Sequence, residues 1–79
     1  VRSMSRYDYD MEIVPMRKQE LAMLYAPDLS PRAAVNRLMR WVGMHPTLTA
    51  ELLKTGYQKR SRLLSARQVE LIVEHLGEP

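Results

Sequence analysis

With 79 residues, 46% of them hydrophobic, the chain suffices for one small domain whose single core supplies only a few kcal/mol, so marginal stability or self-association is expected. It has no cysteine, which excludes a disulfide framework and thiolate chemistry and suits a reducing interior. The formal net charge of +3 conceals a basic middle flanked by acidic ends, a layout that attracts polyanions unless the ends answer it within the molecule or in a dimer.

Met4 is a candidate start, so Val1 to Ser3 are set aside. From Ser5 to Pro15 the chain alternates aromatic and acidic residues (Tyr7-Asp8-Tyr9-Asp10) and continues through Met11, Ile13 and Val14. This predicts an extended segment over residues 1–15, either a short edge strand or a tail whose tyrosines lie on the core, because Pro15 stops a helix from running back through it. Carboxylates repel phosphate, so anchoring suits this segment better than stacking on nucleic acid.

Residues 16–79 read as a single helical domain. Arg17 to Tyr25 forms a short helix with Leu21, Leu24 and Tyr25 as its apolar stripe, small Ala22 for close approach, and Pro27 to end it. Ser30 to Val42 is the central helix. Ser30 is an N-cap, Pro31 suits the first helical position, and Leu29 closes over the first turn. Val35, Leu38, Met39 and Val42 recur at helical spacing, and Ala34 and Trp41 widen that face. Arg32, Asn36, Arg37 and Arg40 fall opposite. A short helix, a polar turn and a longer basic helix follow the order of a helix-turn-helix, although Ala22 to Ser30 is longer than in a compact unit of that kind.

Gly43 breaks the central helix, and Pro46 opens a third that runs to Lys54, capped by His45 or Met44, with Leu48, Leu52 and Leu53 facing inward. Gly56 supplies the left-handed stop. Tyr57 to Arg62 is then a loop with Lys59, Arg60 and Arg62 beside a tyrosine, suited equally to clamping a phosphate backbone or to being a solvated connection. Ser65-Ala66-Arg67-Gln68 is a capping box, and Leu64 with Val69 forms its hydrophobic staple. Val69, Ile72, Val73 and Leu76 make the inward stripe of this last helix before Gly77 ends it. Leu71, beside Glu70 and Glu74, is left over.

The segment charges sharpen the picture. Val1 to Leu29 carries four basic and five acidic residues, Ser30 to Arg67 eight basic and one acidic, and the last twelve residues three glutamates with no Lys or Arg. The longest apolar run, Leu21 to Ala26, has six residues against roughly 20 needed to span a bilayer, and no apolar stretch near the start resembles a signal peptide. A cytoplasmic protein without a membrane partner is expected. His45 and His75 lie in different elements with no ligand partner at metal spacing, so no metal or cofactor is expected. No serine has a histidine and an acid placed to activate it, no glycine-rich loop is present, and exposed Glu70 and Glu74 lack the burial that general-acid chemistry needs. The chain is therefore not expected to be an enzyme.

Glu20-Leu21-Ala22, Tyr25-Ala26-Pro27, Trp41-Val42, Gly56-Tyr57, Gln68-Val69 and Leu76-Gly77-Glu78-Pro79 form a set that resembles a Bacteroidetes domain-of-unknown-function family, numbered four thousand two hundred and forty-eight. The likeness covers Met11 to Pro79. Where that family commonly has a polar residue and a tyrosine before Glu-Leu-Ala, this chain has Pro15-Met16. The resemblance implies a compact, mostly helical bacterial domain and no particular activity.

These readings converge on an all-α, compact four-helix domain with a helix-turn-helix-like first pair. The leading functional expectation is DNA binding or regulation by Arg32, Asn36, Arg37 and Arg40 of the second helix, with Lys59, Arg60 and Arg62 holding the backbone. The alternative is a homodimer or protein-interaction adaptor that presents Glu70, Leu71 and Glu74.

Overall fold

The computed structural model describes residues 11–79. In chain order it contains strand β1 (Met16–Arg17), helices α1 (Lys18–Tyr25), α2 (Pro31–Gly43) and α3 (Pro46–Lys54), strand β2 (Leu63–Leu64) and helix α4 (Ala66–Leu76). All four expected helices are present. The Tyr7 to Asp10 alternation lies outside the described residues, and residues 11–15 carry no strand.

The strand comes just after Pro15 instead. Pro15 has no N–H to give to a ladder, so pairing begins at the next residue. β1 runs antiparallel to β2, with Met16 opposite Leu64 and Arg17 opposite Leu63. The Lys18 N–H extends the ladder by donating to the Arg62 carbonyl at 2.9 Å. The ladder thus ties the entrance of α1 to the segment just before α4.

Local caps fix the helix starts as the sequence implies. The Ser30 hydroxyl accepts from the Ala33 N–H at 3.3 Å, with Pro31 at the first position of α2. At α4 the Ser65 hydroxyl accepts from the Gln68 N–H at 3.2 Å, and the Gln68 side-chain carbonyl accepts from the Ser65 N–H at 2.9 Å. The Gln68 amide also donates to the Thr55 hydroxyl at 3.0 Å, so this buried side chain links the end of α3 to the start of α4. His45 precedes α3 but makes no side-chain cap. Gly56 (φ 88°) and Gly77 (φ 91°) take the left-handed backbone that ends α3 and α4.

The core gathers Leu21 and Ala22 of α1, Ala34, Leu38 and Val42 of α2, Leu48 and Leu52 of α3, Leu64 of β2, and Val69, Leu71, Ile72 and Val73 of α4. α1 and α2, the expected helix-turn-helix-like pair, form the most extensive contact. Trp41 meets Tyr25 edge to face at 6.1 Å, and the Tyr25 hydroxyl donates to the Gly77 carbonyl.

Three leucines depart from their expected positions. Leu24 and Leu53 point to solvent, and Leu71 is only 2% exposed. In α1 the inward row is Lys18, Leu21, Ala22 and Tyr25, and at about 100° per residue Leu24 falls well off its centre. Leu53 is similarly turned from the Leu48–Leu52 row. α4 packs on α2, α3 and β2 together, so its buried arc is wide enough to take in Leu71 as well. The sequence pattern of one inward stripe misses that arc.

Candidate functional site

A concavity of about 520 Å³ opens where β1 and the start of α1, α2 from Pro31 to Met39, and the loop between α3 and β2 converge. α2 contributes Arg32 and Asn36, and the loop contributes Lys59, Arg60 and Arg62. These five expected binding residues, drawn from two separate stretches, share one recess. Arg37 and Arg40 do not line it. At about 100° per residue, Asn36 stays close to the row of Arg32, whereas Arg40 and especially Arg37 turn progressively away.

Arg17 and Lys18 also line the recess and escape the sequence reading. A signal for them exists: cations are disfavoured at a helix N-terminus, so two in succession at the entrance of α1 call for a reason. Lys18 provides it. Only 6% exposed, its ammonium donates to the Lys59 carbonyl at 2.7 Å and lies 4.8 Å from the centre of the Tyr57 ring. A charge-assisted hydrogen bond of this kind contributes on the order of 1.5–3 kcal/mol, and the ring face adds to it.

The basic loop is consequently fastened at several points. The Tyr57 hydroxyl donates to the Met39 sulfur at 3.3 Å, anchoring the loop's start on α2. Lys18 holds Lys59 through its side chain and Arg62 through its backbone N–H. Between them the Ser61 N–H donates to the Gln58 carbonyl at 3.0 Å, and the Ser61 hydroxyl bonds back to the Leu63 backbone. The guanidinium and ammonium groups therefore project from an ordered turn.

Electrostatically the recess is one-sided. Among the described residues, no carboxylate lines it. Nor, among those residues, does any of Arg32, Arg37, Arg40, Lys59, Arg60 or Arg62 form an ion pair; the bridges present are Arg67–Glu70 at 3.0 Å and His75–Glu51 at 3.9 Å. Gathered cations repel one another, and a bound polyanion relieves that repulsion.

The α4 surface does not assemble as expected. Leu71 lies in the core, since α2, α3 and β2 enclose that side of the helix, and Glu70 is engaged by Arg67. Glu74 is half-buried. His75 sits with Nδ1 2.9 Å from the Leu71 carbonyl, a bond that stiffens the end of α4. Among the described residues, no three His, Asp or Glu side chains come together as a metal site, and no helix is long and apolar enough to cross a membrane.

No curated protein and no solved structure matches the chain. One family model does, over residues 12–79, and it covers the ladder, all four helices and every residue of the recess. The chain belongs to the family described as a domain of unknown function (DUF4248).

Proposed function

We propose that the domain binds nucleic acid through this recess, as a non-catalytic cytoplasmic module. Arg17, Arg32, Lys59, Arg60 and Arg62 neutralise phosphates, and Asn36 adds a neutral hydrogen-bonding group, as Gln19 and Ser61 do beside it. The observation that carries this reading is the meeting of cations from three separated stretches of chain in one recess that, among the described residues, no carboxylate lines. Phosphate neutralisation releases condensed counterions, so such a surface gains affinity without reading sequence. The contact is the recess and not a whole face of α2, because Arg37 and Arg40 lie outside it.

Fluorescence anisotropy with generic single-stranded and duplex DNA at two salt concentrations tests the proposal. Five phosphate contacts correspond to a log–log salt slope of about 4 to 5 in magnitude for duplex, and to an affinity loss of roughly several hundredfold between 50 and 200 mM salt. Arg60→Ala is expected to lower that slope by about one, whereas Arg37→Ala leaves it unchanged. No binding at low salt, or equal losses in the two variants, would sink the proposal.

A further inference from the structure

Resting on that reading of the recess as a polyanion site, we propose that it holds a terminal phosphate monoester, the phosphorylated end of a nucleic-acid strand, and does not lie along the side of a duplex. Shape is the first argument. About 520 Å³ falls within the range of small-ligand pockets, roughly 300–1,000 Å³, and a recess of that size admits a protruding group. Duplex DNA is more commonly met by a protruding helix or ribbon that enters its groove.

Charge is the second. Lys18 is a buried ammonium whose partners, the Lys59 carbonyl and the Tyr57 ring, are both neutral. Buried charges are ordinarily paired, and among the described residues no carboxylate lines this recess to pair this one. A monoester carries about −1.5 to −2 near neutral pH with three acceptor oxygens, roughly twice the charge of an internal diester. It is the anion best matched to Lys18 backed by Arg17, Arg60 and Arg62. The third argument is the lining itself. Pro31, Val35 and Met39 give α2 an apolar wall beside the cations, suited to the sugar or base of a terminal nucleotide.

The test compares three short single strands labelled at the far end: one with a 5′-phosphate, one with a 5′-hydroxyl, and a hydroxyl-ended strand two nucleotides longer, whose two added diesters restore the lost charge. A fourth arm titrates a free nucleoside monophosphate. The phosphorylated strand is expected to bind at least about tenfold tighter than both hydroxyl-ended strands, beyond what added charge gives in general. Lys18→Met, its fold checked by circular dichroism, is expected to reduce that preference to within about threefold. The wild-type comparison decides the matter even if this variant does not fold. Equal binding of all three strands overturns the end-recognition proposal and leaves the nucleic-acid reading intact. Binding of the monophosphate as tight as that of the phosphorylated strand, or without any strand binding, keeps the phosphate pocket but assigns it to a small organic phosphate, overturning the strand assignment. Failure of every arm removes both.

Discussion

Leu71 and Leu53 provide a direct test of how the core is built, because one helical pattern leaves Leu71 over and turns Leu53 inward, while the fold does the reverse. Leu71 is 2% exposed and Leu53 60%. Truncating a buried leucine to alanine removes its transfer free energy and leaves a cavity, at a cost of about 3–5 kcal/mol, whereas an exposed position changes stability by about 0.5 kcal/mol. At ~0.05–0.15 kcal/mol per residue the whole domain is stable by only about 4–12 kcal/mol. Leu71→Ala therefore removes a large share of that stability and lowers the melting temperature by at least about 12 °C, at roughly 4–8 °C per kcal/mol for a domain this size. Urea unfolding followed by far-UV circular dichroism, with Trp41 fluorescence as a second probe, reads both variants. A Leu71→Ala protein within about 1 kcal/mol of wild type, or an equal loss in Leu53→Ala, would refute the packing of α4 described above. A charged Leu71→Glu variant would bury an unpaired carboxylate and unfold the chain, so dissociation of any oligomer in that variant would report unfolding and not a surface contact.

Three further expectations follow from the described geometry. Gly43 ends α2 with ordinary backbone and open space around its α-carbon, so Gly43→Ala should stabilise by about 0.5–1 kcal/mol, while Gly56→Ala, at φ 88°, should destabilise by about 1–2 kcal/mol despite equally open space; thermal melts separate the two signs. Ser65→Ala removes the α4 cap and should cost about 1 kcal/mol in urea unfolding, and a neutral result would show that the box is not holding the helix start. Burial, with the Glu78 carboxylate adding to it, pushes the Tyr25 phenol from 10.0 up to about 12. The unfolded chain then releases this proton before the native one does, so stability is intact below pH 10 and falls as pH rises through that interval. The loss is on the order of 1 kcal/mol once solvent screening is allowed for, and Tyr25→Phe should flatten this limb of the stability–pH curve.

What the sequence makes legible is what local chemistry decides. Ser30 with Pro31, and Ser65 with Gln68, announce two helix starts because a cap is completed within a few residues of chain. Gly56 and Gly77 announce two ends because only glycine takes that backbone cheaply. The β1–β2 ladder could not be read in this way. Each strand has two residues, too few for any alternation, and their pairing is long-range, so only the folded chain creates it. Leu24, Leu53 and Leu71 fail for a related reason. Helical spacing gives the direction of a face but not how many neighbours cover it, and α4 packs on α2, α3 and β2 together.

The recess shows the same division between local chemistry and tertiary placement. Cation content marked Arg32 on α2 and Lys59, Arg60 and Arg62 in the loop, but no periodicity could say that the two stretches meet. Their meeting rests on Tyr57, whose hydroxyl reaches Met39 of α2, and on Lys18, whose backbone N–H closes the ladder at Arg62 and whose ammonium donates to the Lys59 carbonyl. A residue ordinarily expected on the solvated face of a helix is thus the brace of the basic loop. Because one residue serves both ends of that loop, the ladder and the recess form a single structural unit. Loosening the pairing of Met16 with Leu64 should therefore disperse the cations as well as weaken the fold, and amide exchange at Lys18 and Leu64 should rise together with loss of DNA affinity. If affinity instead survives while those amides exchange freely, the loop acts as an unstructured basic tether, and the recess is not the binding site.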